Sequence, residues 1–400
     1  MLWRGDAGLK DGCDVGTPLY GGWFDAGDHV KFGFPMAWTV TVLGWGMIDY
    51  SAQYKAAGEW SNGLDMLRWT LEFFIRAHPE KYVFYGQVGD GYADHGFWGR
   101  PEDMTMSRPS FAITKSSPGS DLAGETAAAL AAGSMVFKDE DPEFAALCLH
   151  HAKELYEFAD QYQGKYTDAI PAADFYNSWS GYQDELVWGG AWLFRATKDP
   201  FYLQKANQYY SNHVAEMFSW DDKTPGSQVL LAQITGEGSY KDDAVKYYQW
   251  LQNTAQKTPK GLLWLSQWGS NRYAANSAFL LMQAKKIDRI PAGDQDSYFK
   301  FGADQINYML GDGGRSYMVG FGNNPPQKPH HRSSSCPAVP AGCENGQNNG
   351  GANPFVLYGA LVGGPDANDN YVDDRNDYVA NEVACDYNAA FQSAVAAMMV

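Results

Sequence analysis

No stretch of this chain reaches the roughly 18 consecutive apolar residues that a membrane-spanning helix needs. Nor does a charged leader with an apolar centre stand at its start, so no signal peptide is visible. Basic residues are in short supply, with 30 Lys and Arg against 47 Asp and Glu for a net charge of -17. Such a surface repels nucleic acid and anionic membranes, and both are excluded as partners. A neutral polymer such as a polysaccharide is not repelled. Cysteine is sparse, and none of the five shows the C-x-x-C spacing of a metal knuckle. Cys336 and Cys343 close a short Pro/Gly loop and can pair in a secreted protein, whereas Cys148 lies on the apolar side of a helical pattern and reads as a free core thiol. Sequence repeats and Ser/Thr/Pro-rich linkers are missing, which favours one domain over residues 1–400.

Strand-type alternation is also rare, and helical periodicity fills most of what remains. Phe144, Leu147, Cys148, His151, Leu155, Phe158 and Tyr162 recur at helical spacing, after Asp141 as N-cap and Pro142 at the first helical position. Together with 142–163, similar segments at 37–57, 59–78, 119–137, 182–197, 199–217, 225–234, 240–254, 271–284, 293–311 and 386–399 predict about eleven helices. Turn signals between them point to antiparallel hairpins, an all-α fold. Long non-helical stretches run at 4–35, 81–118, 164–181, 255–270 and 312–385. Loops of such length are usually functional or disordered. These are rich in aromatics, His, Asp and Gly, so they read as ordered loops building a site on one face.

Aromatics are abundant, 14 Trp and 25 Tyr among them. Many stand in polar loops, as in Tyr176-Asn-Ser-Trp179-Ser-Gly, where a flat ring suits the C–H face of a sugar. In Asp25-Ala-Gly-Asp28-His-Val-Lys31 two carboxylates stand three residues apart in a Gly-rich turn. They serve either to hold and deprotonate a water or as an Asx turn and helix cap. A second acidic run extends from Asp373 to Glu382, where Val383 and Ala384 beside Glu382 favour a raised carboxyl pKa of the kind a general acid needs. Capping and polar turns explain the same run equally well. His330-His331-Arg332 has no carboxylate or Cys at ligand spacing, so sugar hydroxyls suit it better than zinc.

Three long segments carry a resemblance. GGWFDAGDHVKFGFPMA, SYMVGFGNNPPQKPHHR and YVDDRNDYVANEVACDYNAA resemble the base, histidine and acid segments of glycoside hydrolase family 9, the inverting β-1,4-glucanases. The likeness covers nearly the whole chain, and its last segment is closer to the animal enzymes, such as those of termites and other invertebrates. It implies an (α/α)6 barrel with long active-site loops on one face. It also implies Asp28 as general base, Asp25 holding the water, and Glu382 as general acid. His330 and Arg332 would bind sugar near the cleavage point. Asp373 would support Glu382 or the histidine segment, and Tyr387 would lie beside the water. DHGFWGRPEDM resembles a substrate loop, which implicates His95 and Trp98; Tyr176, Trp179, Trp268 and Arg272 match further cleft positions.

SWSGYQDEL resembles the family's calcium loop, with Ser180, Gly181, Asp184 and Glu185 as oxygen ligands and Asp221 completing the shell. The two acids read equally as first-turn residues of helix 182–197, favoured by its dipole. No organic cofactor is implied. Family members normally begin with a further helix, whereas Met1 stands almost directly on Trp3-Arg4-Gly5-Asp6. The expectation is therefore a barrel whose first helix is missing, an N-terminally truncated catalytic domain. The function implied is a secreted, monomeric endo-β-1,4-glucanase acting on cellulose or related glucans. The alternatives are a glucan-binding protein with little activity because of the truncation, or a hydrolase of xylan or mixed-linkage glucan.

Overall fold

A computed structural model describes residues 3–399. Its elements in chain order are β1 (Lys31–Phe32), α1 (Gly33–Asp49), α2 (Ser51–Ala56), α3 (Trp60–Ala77), β2 (Val83–Val88), α4 (Gly91–His95), β3 (Ser110–Thr114), α5 (Ser120–Val136) and α6 (Pro142–Gln161). Then come α7 (Ala173–Tyr176), α8 (Gln183–Thr197), α9 (Pro200–Tyr209), α10 (Thr224–Thr235), α11 (Gly238–Asn253), α12 (Ser270–Gln283), α13 (Ala292–Asn307), α14 (Arg332–Ser335), α15 (Tyr378–Asn381) and α16 (Cys385–Met398). Eleven of these helices have ten or more residues, and each coincides with one of the periodic segments in the sequence.

They form two layers. Helices α1, α5, α8, α10, α12 and α16 pack in sequence around a ring, which closes where α16 meets α1. Helices α3, α6, α9, α11 and α13 pack outside it. The chain alternates between layers, so the inner helices run the same way. Composition explains the sorting. Every residue of α1 except Ile48 and Asp49 is buried, as is every residue of α5 except Met135, and a helix apolar or small on all sides belongs inside. By contrast, α3 buries one stripe, including Leu67, Leu71 and Phe74. Trp45, touching Trp188, Trp192 and Phe279 at ring separations of 5.2–5.8 Å, ties inner helices to one another.

Over α16 and α1 the outer position holds the short α2. A cavity of about 630 Å³ opens between α1, α3 and α16, lined by Leu43, Met66, Trp69 and Gln392 and reaching Asp25 and Asp28.

Three details depart from the sequence reading. Segment 199–217 stops being helical at Tyr209, because Tyr210 turns to extended backbone and its hydroxyl donates to Asp243 on α11. Segment 293–311 is α-helical only to Asn307; a wider turn follows over Tyr308–Asp312, in which Gly311 has a φ of 139°. The loops at 4–35 and 81–118 hide an antiparallel sheet of order β1-β2-β3, with Lys31 opposite Val88 and Phe84 opposite Ile113. Strands of two, six and five residues are too short for a period-two pattern to stand out.

Candidate active site

The inner helices share a direction, so their N-termini gather at one face with their dipoles pointing positive end toward it. Asp25 and Asp28 precede β1 and α1, Asp121 opens α5, Asp184 and Glu185 open α8, Trp268 precedes α12, and Glu382 precedes α16. Carboxylates are stabilised at such ends, which is one reason they concentrate there.

Backbone bonds join three remote segments into one floor. Cys385 N donates to Asp25 O at 2.9 Å, His330 N to Asn381 O at 2.8 Å, and Arg332 N to Gly27 O at 3.2 Å. Gly27 must be glycine: a Cβ there would lie 2.3 Å from His330 O. The Asp25-Ala-Gly-Asp28 turn thus closes directly on the histidine segment.

Asp25 and Asp28 are each only 7% exposed. The Asp28 carboxyl is raised to about 7 by burial and then by the charge of Asp94, with Arg332 opposing. Its Oδ1 accepts from Ala26 N at 3.1 Å, and its Oδ2 has no hydrogen-bond partner. Burial and the charge of Asp28 push Asp25 up as well, against a hydrogen bond donated by the Tyr176 hydroxyl. Glu382 is raised by burial; Trp268 Nε1 donates to its Oε2 at 2.9 Å and the Tyr387 hydroxyl at 3.2 Å. Both donors counter that rise while fixing the carboxyl's orientation.

An aromatic frame surrounds Glu382. Trp98 meets His330 at 5.2 Å, His330 meets Tyr378 at 5.9 Å, and Tyr378 meets Trp268 at 5.2 Å. His330 Nδ1 donates to Arg375 O at 2.6 Å, which leaves Nε2 as the free nitrogen. Burial lowers the His330 pKa, which favours the neutral ring. Trp98 Nε1 donates to Ser335 Oγ at 2.9 Å. Asp373 accepts from Gln327 N at 2.8 Å and Lys328 N at 3.0 Å, so it braces the loop that leads into the histidine segment.

Two arginines meet this negative charge. Arg272 pairs with Asp386 at 2.9 Å and donates to Trp268 O at 3.2 Å. Arg332 pairs with Asp94. Single ligand atoms of Asp28, Asp94 and His95 lie within 4.8 Å of one another, a spacing that also suits a metal ion. Arg332 already supplies a cation to Asp94, and His95 Nδ1 donates to Gly91 O at 2.6 Å. Trp179 stands apart, 73% exposed on the loop after α7.

Comparison with known proteins matches this chain to a family. The model of glycosyl hydrolase family 9 covers residues 1–395. The chain belongs to glycosyl hydrolase family 9. It is 47% identical to endoglucanase A of Bacillus pumilus over 419 residues, covering 100% of this chain and 62% of that protein. The chain thus spans less than two thirds of that relative's length. Among solved structures, an endoglucanase from the termite Nasutitermes takasagoensis is 54% identical with a TM-score of 0.96, over 99% of this chain and 92% of that one. The cellulase Cel9M of C. cellulolyticum, solved with cellobiose, is 36% identical with a TM-score of 0.92, over 100% and 92%. Both bear out the (α/α)6 barrel.

In this family 9 chain the second acidic group lies around α5, α8 and α10. Lys223 is fully buried, 2.7 Å from Glu185 and 3.4 Å from Glu125. Burial raises Asp121 to about 7 and Asp184 to about 6, and it raises Glu185, with the charge of Asp184 adding to it. Ser180 Oγ donates to Asp184 Oδ1 at 3.3 Å, while Asp221 Oδ1 accepts from Trp179 N at 2.7 Å and Ser180 N at 3.1 Å. Gly181 supplies the turn, with a φ of 98° and a carbonyl that accepts from Ser178. Glu185 Oε2 is buried with no hydrogen-bond partner. One lysine facing five buried or half-buried acids leaves negative charge in excess, and their oxygens are of the donor type a hard cation takes. Within it, Glu185 turns toward Lys223 rather than standing free.

The sequence reading missed Asp94, Asp386 and Lys223. Asp94 immediately precedes His95, and Asp386 lies in the same segment as Glu382. Nothing local marks Lys223 as a buried cation.

Proposed function

We propose that this chain is an inverting endo-β-1,4-glucanase that cleaves internal bonds of cellulose or related glucans. The observation that carries this reading is a buried Asp28 with a free Oδ2, set against a Glu382 oriented by two donors and joined to it through the Cys385–Asp25 backbone bond. A water attacks the anomeric carbon and its proton passes to Asp28. Asp25, steadied by Tyr176, holds the water in line. Glu382 gives its proton to the glycosidic oxygen as the bond to carbon breaks, and the anomeric centre inverts. Burial suits Glu382 to this role, since it keeps the carboxyl protonated above the ordinary range. Tyr387 and Trp268 stabilise the carboxylate left behind. His95, Trp98, Trp179, Arg272, His330 and Arg332 line or brace the glucan path.

Calcium, held by Ser180, Gly181, Asp184, Glu185 and Asp221, would supply positive charge and rigidity to the loop after α7. Residues 1–400 act as one catalytic domain and as a monomer. The Cys336–Cys343 disulfide supports a secreted location, where such bonds persist. Among the described residues no helix is long and apolar enough to cross a membrane.

Proton NMR of cellopentaose during the first minutes of hydrolysis tests the reading. Early α-anomer is the expected result. Early β-anomer would mean retention and overturn the roles of Asp28 and Glu382. Binding without cleavage would leave only a glucan-binding protein, and cleavage of xylan in preference to cellopentaose would change the substrate.

A further inference from the structure

The rings beside the reaction centre continue outward along one wall. His95 stands next to Asp28. Its ring is 5.0 Å from Phe175, and Phe175 is 5.2 Å from Tyr92. Tyr92 and His95 are three residues apart on α4, so both flank Phe175 from one helix face. Gly91 permits this approach, because a Cβ there would meet the Phe175 ring at 2.4 Å. The next residue, Tyr176, holds Asp25, so α7 ties this wall to the catalytic turn. Exposure increases away from the centre: Phe175 is half-buried, whereas Tyr92 is 65% exposed.

An exposed tyrosine is ordinarily free to move. This one is not, since its hydroxyl donates to Asp174 on α7. The result is a flat apolar ring held at a fixed angle with a solvent-facing carboxylate at its edge. A pyranose ring needs that pairing, an apolar surface for its C–H face and an acceptor for an equatorial hydroxyl. Holding the ring in place before the ligand arrives lowers the ordering cost of binding.

We infer that Tyr92, with Asp174, forms an outlying glucosyl subsite beyond Phe175, one that only longer β-1,4-linked oligosaccharides reach. This rests on the glucanase reading above. The subsite makes Tyr92 a determinant of chain-length preference rather than of the chemical step.

Calorimetric binding of cellotriose and cellohexaose in the Glu382→Gln background tests it. Adding Tyr92→Ala should weaken cellohexaose binding by about tenfold, the size of one well-placed ring contact, and leave cellotriose unchanged. Tyr92→Phe should keep most of the cellohexaose affinity. Equal weakening of both sugars would point to a disturbed Phe175 wall and overturn the subsite, and so would no weakening of either. Thermal melts of the variants, matched to their parent, exclude a folding effect at this exposed position. Failure of the glucanase reading shows separately, as absence of cleavage by the unmodified chain.

Discussion

Two groups of carboxylates stand at the same face of the barrel and meet their charge in different ways. Around Lys223, Glu125 and Glu185 share one fully buried ammonium. Around Asp28 and Glu382, the arginines pair with Asp94 and Asp386, while Asp25, Asp28 and Glu382 are left to hydroxyl, indole and amide donors. The first arrangement gives two acids a direct counter-charge. The second keeps carboxyls buried without a direct cation, which lets each exchange a proton. Burial alone therefore does not separate Glu382 from Glu185; a paired cation does.

Removing the proposed proton donor separates the two groups most sharply. Glu382→Gln should lower turnover on soluble cellulose derivatives by roughly 10²–10⁴-fold while leaving the melting temperature close to that of the parent. Near-parental turnover would end the assignment. Lys223→Met should do the reverse at the other group. It strands Glu125 and Glu185 as uncompensated buried charges, a loss of about 3–5 kcal/mol in denaturant unfolding. An unchanged unfolding midpoint would mean the lysine is not the counter-charge.

Tyr176→Phe keeps the ring and deletes its hydrogen bond to Asp25. That bond opposes the rise of the Asp25 pKa, so its loss raises the pKa further and moves the acid limb of the pH–rate profile toward higher pH. Turnover at pH 6 should fall by about tenfold, in line with one hydrogen bond to a charged group. A profile that only scales down without shifting would argue against a shared role for Asp25 and Asp28.

The smallest effect concerns calcium. Asp184 is raised to about 6 in the folded chain from an ordinary 3.8. Its contribution to stability is therefore complete below pH 3.8 and lost as pH rises through 6. Calcium at the proposed loop would bind the ionised form and offset that loss. The calcium-induced gain in melting temperature should grow between pH 5 and 7, by a few degrees. A gain independent of pH would place the ion elsewhere.

Much of this was legible in the chain. The helix N-cap at Asp141 forms as read, its side chain accepting from Phe144 N. The Asp25-to-Asp28 turn and the run to Glu382 stood out because glycine-rich acidic loops contrast with helical periodicity. The short loop left a Cys336–Cys343 bond open as a possibility, and the two are joined in the structure. What escaped notice was either too short or too distant. Strand β1 has two residues, and Lys223 looks like any surface lysine until α5 and α8 close over it.

The sequence by itself determined the helices, their sorting into buried and half-buried faces, and the residue types available for acid–base chemistry. Those depend on local spacing and on side-chain polarity, which a chain carries wherever it goes. Only the tertiary structure decided which acids have a cation and which do not. Asp94 finds Arg332 across 238 residues of chain, and Trp268 finds Glu382 across 114. A carboxyl's pKa is set by how deeply it is buried and by which charges lie nearby; apolar neighbours such as Val383 hint at the first, but no spacing along a chain records charges brought from afar.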